Sequence, residues 1–306
     1  MTCRDCTAQT EDNRVYPLIT IGVSAYNRKD YLKLCLNSLL EQTYPNCQII
    51  VVDDGSTDGT GAMMQAEYPQ IKYIYQNNAG DAAAKNHAAQ AADGEYIVFN
   101  DSDDLFMPDT VMRLYNALPA DDSCACSYGT YQTIDCNGQW LPTRKKVKHY
   151  PSGMILETLL EHIIVNSCGT LMPRKLFLEA GGFDSSLRQV HDYKLFLNLA
   201  MQVNFTALQE PVFLRRRHAD NLSSGSYAKQ KVVLTVFDQF VQANAGRLEK
   251  FAGCIRRRYS TLHNKLYREA RKEKLFAEAR LHARQAFACR PGVKTFCRLL
   301  ASCLAR

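Results

Sequence analysis

The segment YIVFNDSDDLFMPD, residues 96–109, runs an apolar stretch straight into three carboxylates, Asp101, Asp103 and Asp104. Like charges this close repel one another and shift each other's protonation unless something positive sits among them. A divalent cation meets that need, and hard oxygen ligands suit magnesium or manganese. Two other apolar runs also end in polar groups. Residues 48–52 lead into Asp53, Asp54 and Gly55, and residues 18–23 lead into Ser24, Ala25, Tyr26 and Asn27.

Periodicity indicates what would position these groups. Residues 18–23, 48–52 and 96–99 read as strands, and 69–76 holds a further short one. Leu32, Cys35, Leu36, Leu39 and Leu40 fall at helical spacing, with Asn27 or Asp30 as the cap. The Ala-rich residues 81–92 form a second helix. Alternating strands and helices with short connections imply α/β architecture, a mostly parallel sheet flanked by helices. Ligands of such sheets lie beyond the carboxyl ends of the strands, where all three polar clusters fall. Further strands are expected at 123–134, 168–172, 204–208 and 211–215. Helices are expected at 153–162, 174–180 and 192–202. From residue 228 the chain reads as helical, broken at Pro291-Gly292. Three parts follow: a polar tail at 1–16, the α/β domain at 17–227 and a basic helical region at 228–306.

The 306 residues carry a net charge of +6, unevenly spread. Residues 228–306 hold 18 Lys or Arg against 5 Asp or Glu, a local +13, and the rest carries −7. This asymmetry suits a phosphate-rich or membrane-surface partner. No run of about 18 apolar residues is present, so no membrane-spanning helix is expected. The polar N-terminus lacks a signal-peptide core, and a cytoplasmic location is expected. In that reducing setting the twelve cysteines read as buried hydrophobes, not a disulfide framework. Cys3 and Cys6 form a lone C-x-x-C, read as part of a disordered tail.

Taken together the motifs resemble a family 2 glycosyltransferase with a GT-A fold. They are ITIGVSAYNRKDYLKLCLNSLLEQTY, IIVVDDGSTDGT, QNNAGDAAAKNHAAQAADGEYIVFNDSDDLFMPD, CGTLMPRKLFLEAGGFD, HDYKLFLNLA and FLRRRHADNLS. They stand in the family's order over roughly residues 18–224. The resemblance implies sugar transfer from a nucleotide sugar to an acceptor hydroxyl, with inversion at the anomeric carbon. It implies that Ser24, Ala25 and Tyr26 hold a uracil and that Asp54 accepts from its N3–H, the alternative for Asp54 being an Asx turn. Asp101 would reach the ribose or the metal's water shell, and Asp103 would bind Mn2+ or Mg2+ directly. Asp104 reads as a helix cap. Lys85, where the family usually has Arg, meets a phosphate or else is a solvated helix residue. Asp192 corresponds to the catalytic base, and it also reads as an N-cap. His191 stands where the family usually has Glu. Arg216 or His218 would contact the diphosphate, His218 completing the metal shell. Residues 223–226 read as a closing loop.

Rival readings fail on specific residues. A dinucleotide-dependent oxidoreductase needs a Gly-rich turn after the first strand, and GVSAYNRKD stands there instead. A phosphatase using D-x-D needs Thr where Leu105 stands. A processive synthase needs membrane helices and a Gln-x-x-Arg-Trp element, and the single Trp140 lies in GQWLP. A glycosyltransferase-like binding module without activity is countered by Asp54, Asp101, Asp103 and Asp192. The expected partners are a UDP-sugar and a glycan or lipid-linked acceptor, with no nucleic acid. The basic C-terminal region would touch an anionic membrane, form a homodimer or pack on the body.

Overall fold

The N-terminal apolar runs become a parallel sheet in the computed structural model, which describes residues 15–142, 148–218 and 226–304. β1 (Ile19–Ala25) is buried along its whole length. α1 (Lys29–Leu40) turns Leu32, Cys35, Leu36 and Leu39 inward. Its N-cap is Arg28, with no side-chain cap, so neither Asn27 nor Asp30 caps it as expected. Asn27 takes a positive φ of 50°, and its Oδ1 accepts from Thr57 N, tying the entry of α1 to the next loop. β2 (Cys47–Asp53), α2 (Thr60–Glu67), β3 (Lys72–Tyr75), α3 (Asp81–Gln90) and β4 (Tyr96–Asp101) continue the alternation. The four strands lie parallel in the order β3, β2, β1, β4.

The sheet then changes direction. β5 (Leu105–Phe106), α4 (Thr110–Asn116), β6 (Cys126–Ile134), β7 (Trp140–Leu141), α5 (Leu156–Glu161), β8 (Thr170–Pro173), α6 (Arg174–Glu179), α7 (His191–Leu199) and β9 (Phe205–Arg216) follow. β8 pairs antiparallel with both β4 and β6. β9 pairs parallel with β6 and antiparallel with β5. The two strands expected at 204–208 and 211–215 are one, β9, whose register against β6 shifts between Tyr128 and Tyr131. Pro211 sits at that irregularity, where a missing N–H is tolerated. The β5–β9 pairing sets Leu105 against Leu214, so the acidic turn after β4 meets the end of β9.

α8 (Tyr227–Ala243), α9 (Ala252–Lys272), α10 (Phe276–Cys289) and α11 (Val293–Leu304) complete the chain, with the break at Pro291-Gly292 between the last two. Val233, Val236, Phe237 and Leu262 of α8 and α9 share one core with Phe196, Leu197 and Phe205. Buried Arg258 donates to Glu161 O and lies over the Tyr193 ring. A smaller cluster of Tyr267, Ala270, Ala279 and Ala283 joins α9 to α10.

Beside that cluster His263 and His282 stack, their Nδ1 atoms 3.1 Å apart, and the Tyr227 hydroxyl lies 3.1 Å from His282 Nε2. A neutral row satisfies these contacts: Tyr227 donates to His282 Nε2, and His282 Nδ1–H donates to His263 Nδ1. Burial, then the neighbouring His282, lowers the pKa of His263 to about 4. The unfolded imidazole takes its proton near pH 6.5 and the folded one only near pH 4. The contribution is therefore complete above pH 6.5 and is lost as pH falls toward 4. Urea unfolding at pH 7 and pH 4.5 should show wild type losing roughly 2 kcal/mol more than His263→Leu. Equal losses would clear this pair of any part in acid sensitivity.

Candidate active site

Strand register brings the three polar ends level. Ser24 lies opposite Asp101 across β1 and β4, and Ala25 lies opposite Asp53 across β1 and β2. Tyr26 follows, half exposed at the mouth. Asp53 organises its loop, accepting from Ser56 N and from the Tyr73 hydroxyl. Gly55 is required there: its φ is 87°, and a Cβ would come within 3.0 Å of Asn78 N. Asp54 is buried, and its carboxylate accepts from Gln76 Nε2, Ala79 N and Gly80 N, each at 2.8 Å. Asp54 thus holds the 76–80 loop, and one acceptor position remains for the expected nucleobase contact. A nucleobase N3–H would be a fourth donor to a carboxylate that takes about four. Asp54→Ala strands buried donors and should lower stability by roughly 2–4 kcal/mol in urea unfolding. A variant as stable as wild type would return Asp54 to a purely ligand-facing role.

Lys85 is no solvated helix residue. It is 1% exposed, with Nζ 2.5 Å from Asp101 Oδ1 and 3.0 Å from Asp81 Oδ2. Asp81 also accepts from the Ser24 hydroxyl and lies 3.2 Å from His191 Nε2. Burial opposes the charge on Lys85, but Asp101 and Asp81 outweigh it and hold the amine well above its ordinary value. Burial would likewise raise Asp81, but Lys85, His191 and Ser24 hold its carboxyl far below the usual range. A row of polar side chains thus runs Asp101–Lys85–Asp81–His191, from the end of β4 to the start of α7.

α7 begins behind Val190, whose φ of 71° is left-handed. That is strained for a β-branched residue and persists only where neighbours over-determine it. Three contacts supply this: His191 on Asp81, the Phe183 ring 4.9 Å from the imidazole, and Asn86 bonded both ways to the Phe183 main chain. Asp192 is not the N-cap. It lies in the first turn, partly exposed, with Oδ1 accepting from Tyr193 N. No Lys or Arg among the described residues pairs with it. The buried His191, by contrast, is engaged by Asp81.

On the other side of β4, Asp103 Oδ2 lies 2.9 Å from Arg28 Nη1 and 2.8 Å from His218 Nε2. Tyr31 stacks on His218 with ring centroids 5.0 Å apart, and the Arg216 guanidinium lies over the Tyr31 ring. Arg216 departs from its expected diphosphate contact. It is buried, Nε donating to Asp103 O and Nη1 to Asp135 O and Cys136 O, while its main-chain N–H donates to Asp104 Oδ1. It fastens β9 to the acidic turn. Asp104 is not a helix cap, since Asp109 occupies that position of α4. Burial, then Asp101 and Asp103, push its carboxyl well above the usual range.

An oxygen and an imidazole meeting at Asp103 and His218 fit a manganese-type ion. Asp101, Asp104 and Cys168 also converge, within 4.8 Å. Burial pushes the Cys168 thiol and the Asp104 carboxyl upward, and a soft sulfur suits a hard cation less well than the oxygen and imidazole at Asp103 and His218. Of the expected closing loop, residues 223–225 lie outside the described residues, and Ser226 caps α8 by accepting from Lys229 N.

Sequence reasoning missed Arg28, Tyr31 and Asp81. Arg28 and Tyr31 are one helical turn apart in NRKDY, directly after a strand end. Asp81 and Lys85 are four apart on α3, and that spacing was the available signal.

Residues 20–180 match Glycosyl transferase family 2. The chain belongs to that family. This family 2 glycosyltransferase is 30% identical to an uncharacterized glycosyltransferase of Rickettsia typhi over 223 residues, 72% of this chain and 70% of the relative. It is 30% identical to chondroitin synthase of Escherichia coli over 210 residues, 68% of this chain but 30% of that one. Its structure resembles S. aureus TarS 1–349 in complex with UDP-GlcNAc, with TM-score 0.58 and 16% identity over 93% of this chain and 89% of that one. The mannosyltransferase PcManGT from Pyrobaculum calidifontis, in complex with GDP-Man and Mn2+, gives TM-score 0.58 and 18% identity over 94% and 80%. The family 2 chain thus has the mixed α/β GT-A fold.

Proposed function

We propose that this glycosyltransferase moves a sugar from a UDP-sugar to a hydroxyl of a glycan or lipid-linked acceptor, with inversion and with Mn2+ or Mg2+. The carrying observation is the row Asp101–Lys85–Asp81–His191. It links the acidic turn, where a donor's diphosphate fits, to Asp192, a carboxylate with no cationic partner among the described residues. The ligands named for the two fold neighbours, UDP-GlcNAc and GDP-Man with Mn2+, support the donor class. Relatives named chondroitin synthase and hyaluronan synthase support a role in surface polysaccharide synthesis.

In this reading Ser24, Ala25 and Tyr26 receive the base, and the loop that Asp54 holds closes its edge. Asp101 faces the ribose, with buried Lys85 fixing its position and adding positive charge beside the phosphates. Asp103 and His218 hold the cation, which when bound neutralises charge building on the leaving diphosphate. Asp192 takes the acceptor's proton as the oxygen attacks C1 opposite the nucleotide, and the bond from C1 to the diphosphate oxygen breaks.

Incubation with UDP-, dTDP- and GDP-sugars, Mn2+ and oligosaccharide or polyprenol-phosphate acceptors should release UDP and give the inverted anomer by NMR. Binding without release would make the protein a nucleotide-sugar binding module, and a retained anomer would exclude Asp192 as the base. No helix among the described residues is long and apolar enough to cross a membrane. We assign the acceptor's membrane contact to α10 and α11, where Leu281, Phe296 and Leu300 are exposed in a strongly basic region. That geometry suits an anionic bilayer from the cytoplasmic side. Equal sedimentation with neutral and anionic vesicles would retire the contact.

A further inference from the structure

Asp103 Oδ2, Arg28 Nη1 and His218 Nε2 form a triangle with sides of 2.9, 2.8 and 2.5 Å. With Asp103 as a carboxylate, neither placement of the His218 Nε2 proton satisfies all three sides. If Nε2 carries a proton it donates to Asp103, and two donors then face each other across the 2.5 Å side between Arg28 and His218. If Nε2 is bare it accepts from Arg28, and its lone pair then faces a carboxylate oxygen at 2.8 Å. One edge opposes in both of these cases. A divalent ion between Asp103 and His218 removes the conflict, because both then offer lone pairs to it. It cannot take that place while Arg28 stays, since the guanidinium is always charged and of the same sign.

We infer that Arg28 is a positioning residue that occupies the cation's place in the donor-free protein and swings to the donor's diphosphate when the metal enters. This deepens the proposed function and rests on its assignment of Asp103 and His218. The backbone on either side is pinned. Asn27 N donates to Ser56 Oγ, Asn27 Oδ1 accepts from Thr57 N, and Lys29 N donates to Asp58 Oδ2. The motion is therefore one of the long side chain alone. A guanidinium released beside a diphosphate can grip it with two parallel hydrogen bonds. Metal binding thereby becomes conditional on the nucleotide, and by reciprocity nucleotide affinity rises with metal by the same factor.

The test is Mn2+ binding to the full chain, read from the EPR signal of free Mn2+, with and without UDP. Wild type should bind Mn2+ weakly alone and on the order of tenfold or more tightly with UDP, a usual size for such coupling. Arg28→Gln should bind Mn2+ alone about tenfold more tightly than wild type, because the competitor is gone, and gain much less from UDP. Arg28→Lys, which keeps a movable charge but not the two-bond grip, should bind Mn2+ alone as weakly as wild type and gain part of the UDP effect. An Arg28→Gln protein, folded by circular dichroism, whose affinity for Mn2+ alone equals or falls below wild type overturns the inference. If Arg28→Gln does not fold, Arg28→Met decides by the same comparison, and an affinity for Mn2+ alone equal to or below wild type there overturns it. Wild type that binds no Mn2+ even with UDP overturns the metal assignment itself, and Arg28's part with it.

Discussion

Asp192→Asn is expected to lower turnover on the order of 10²-fold or more while UDP affinity stays near wild type. The proton of the acceptor hydroxyl needs a basic oxygen, and an amide offers a poor one. Asn keeps the size and the Oδ1 that accepts from Tyr193 N, so the first turn of α7 should persist. That turn is held mainly by other groups: His191 on Asp81, Phe183 against the imidazole, and Asn86 on the Phe183 main chain. Steady-state rates from UDP release, beside UDP titration calorimetry, separate the two effects. Near-normal transfer with intact UDP binding would remove the base from Asp192. His191 would not inherit the role, because it is buried and its Nε2 already faces Asp81.

Local signals made the first half of the sheet legible. Apolar runs located β1, β2 and β4, and the helical spacing of Leu32, Cys35, Leu36 and Leu39 located α1. The order of strands and helices implied a parallel arrangement with chemistry at the strand ends, which the Ser24–Asp101 register provides. α2 escaped notice because its buried set is only Thr60, Met63 and Met64, with Gly61 inside. Periodicity needs more turns than that to stand out.

The partners of charged groups were harder to read, since tertiary closure decides them. Asp103 and His218 are 115 residues apart, and they meet only because β5 pairs with β9. Lys85 reads in sequence as a phosphate ligand or a solvated lysine, and α3 packing against β1 buries it beside two carboxylates. Arg216 reads as a phosphate ligand, yet its guanidinium donates to carbonyls of Asp103, Asp135 and Cys136 that no motif reveals. The Glu-to-His departure at position 191 was visible in the sequence. The contact of His191 with Asp81 became visible only once α3 and the start of α7 were brought together.

The Asp103→Ala variant should lose metal-dependent turnover almost entirely, on the order of 10³-fold. A bound cation contributes several kcal/mol to stabilising charge on a leaving diphosphate, and each 1.4 kcal/mol is about tenfold in rate. The turn around the residue should survive, because Arg216 grips it through the Asp103 carbonyl, which alanine retains. The removed carboxylate is also the shared acceptor of Arg28 and His218, so both lose a favourable contact. Against that, Asp101 and Asp104 lose a like-charged neighbour, and the 2.5 Å approach of Arg28 to His218 can relax. The side chains are only 5–20% exposed, but these opposing changes keep the net loss well below the roughly 3–5 kcal/mol of breaking a fully buried pair. Two readouts distinguish chemistry from folding: urea unfolding, expected near wild type, and Mn2+ binding with UDP present, expected to be lost. Wild-type turnover by Asp103→Ala in Mn2+ would move the metal to other ligands. Mn2+ binding retained with turnover lost would instead make Asp103 an anchor for Arg28 alone, because a carboxylate that does not ligate the ion can still set where that guanidinium points.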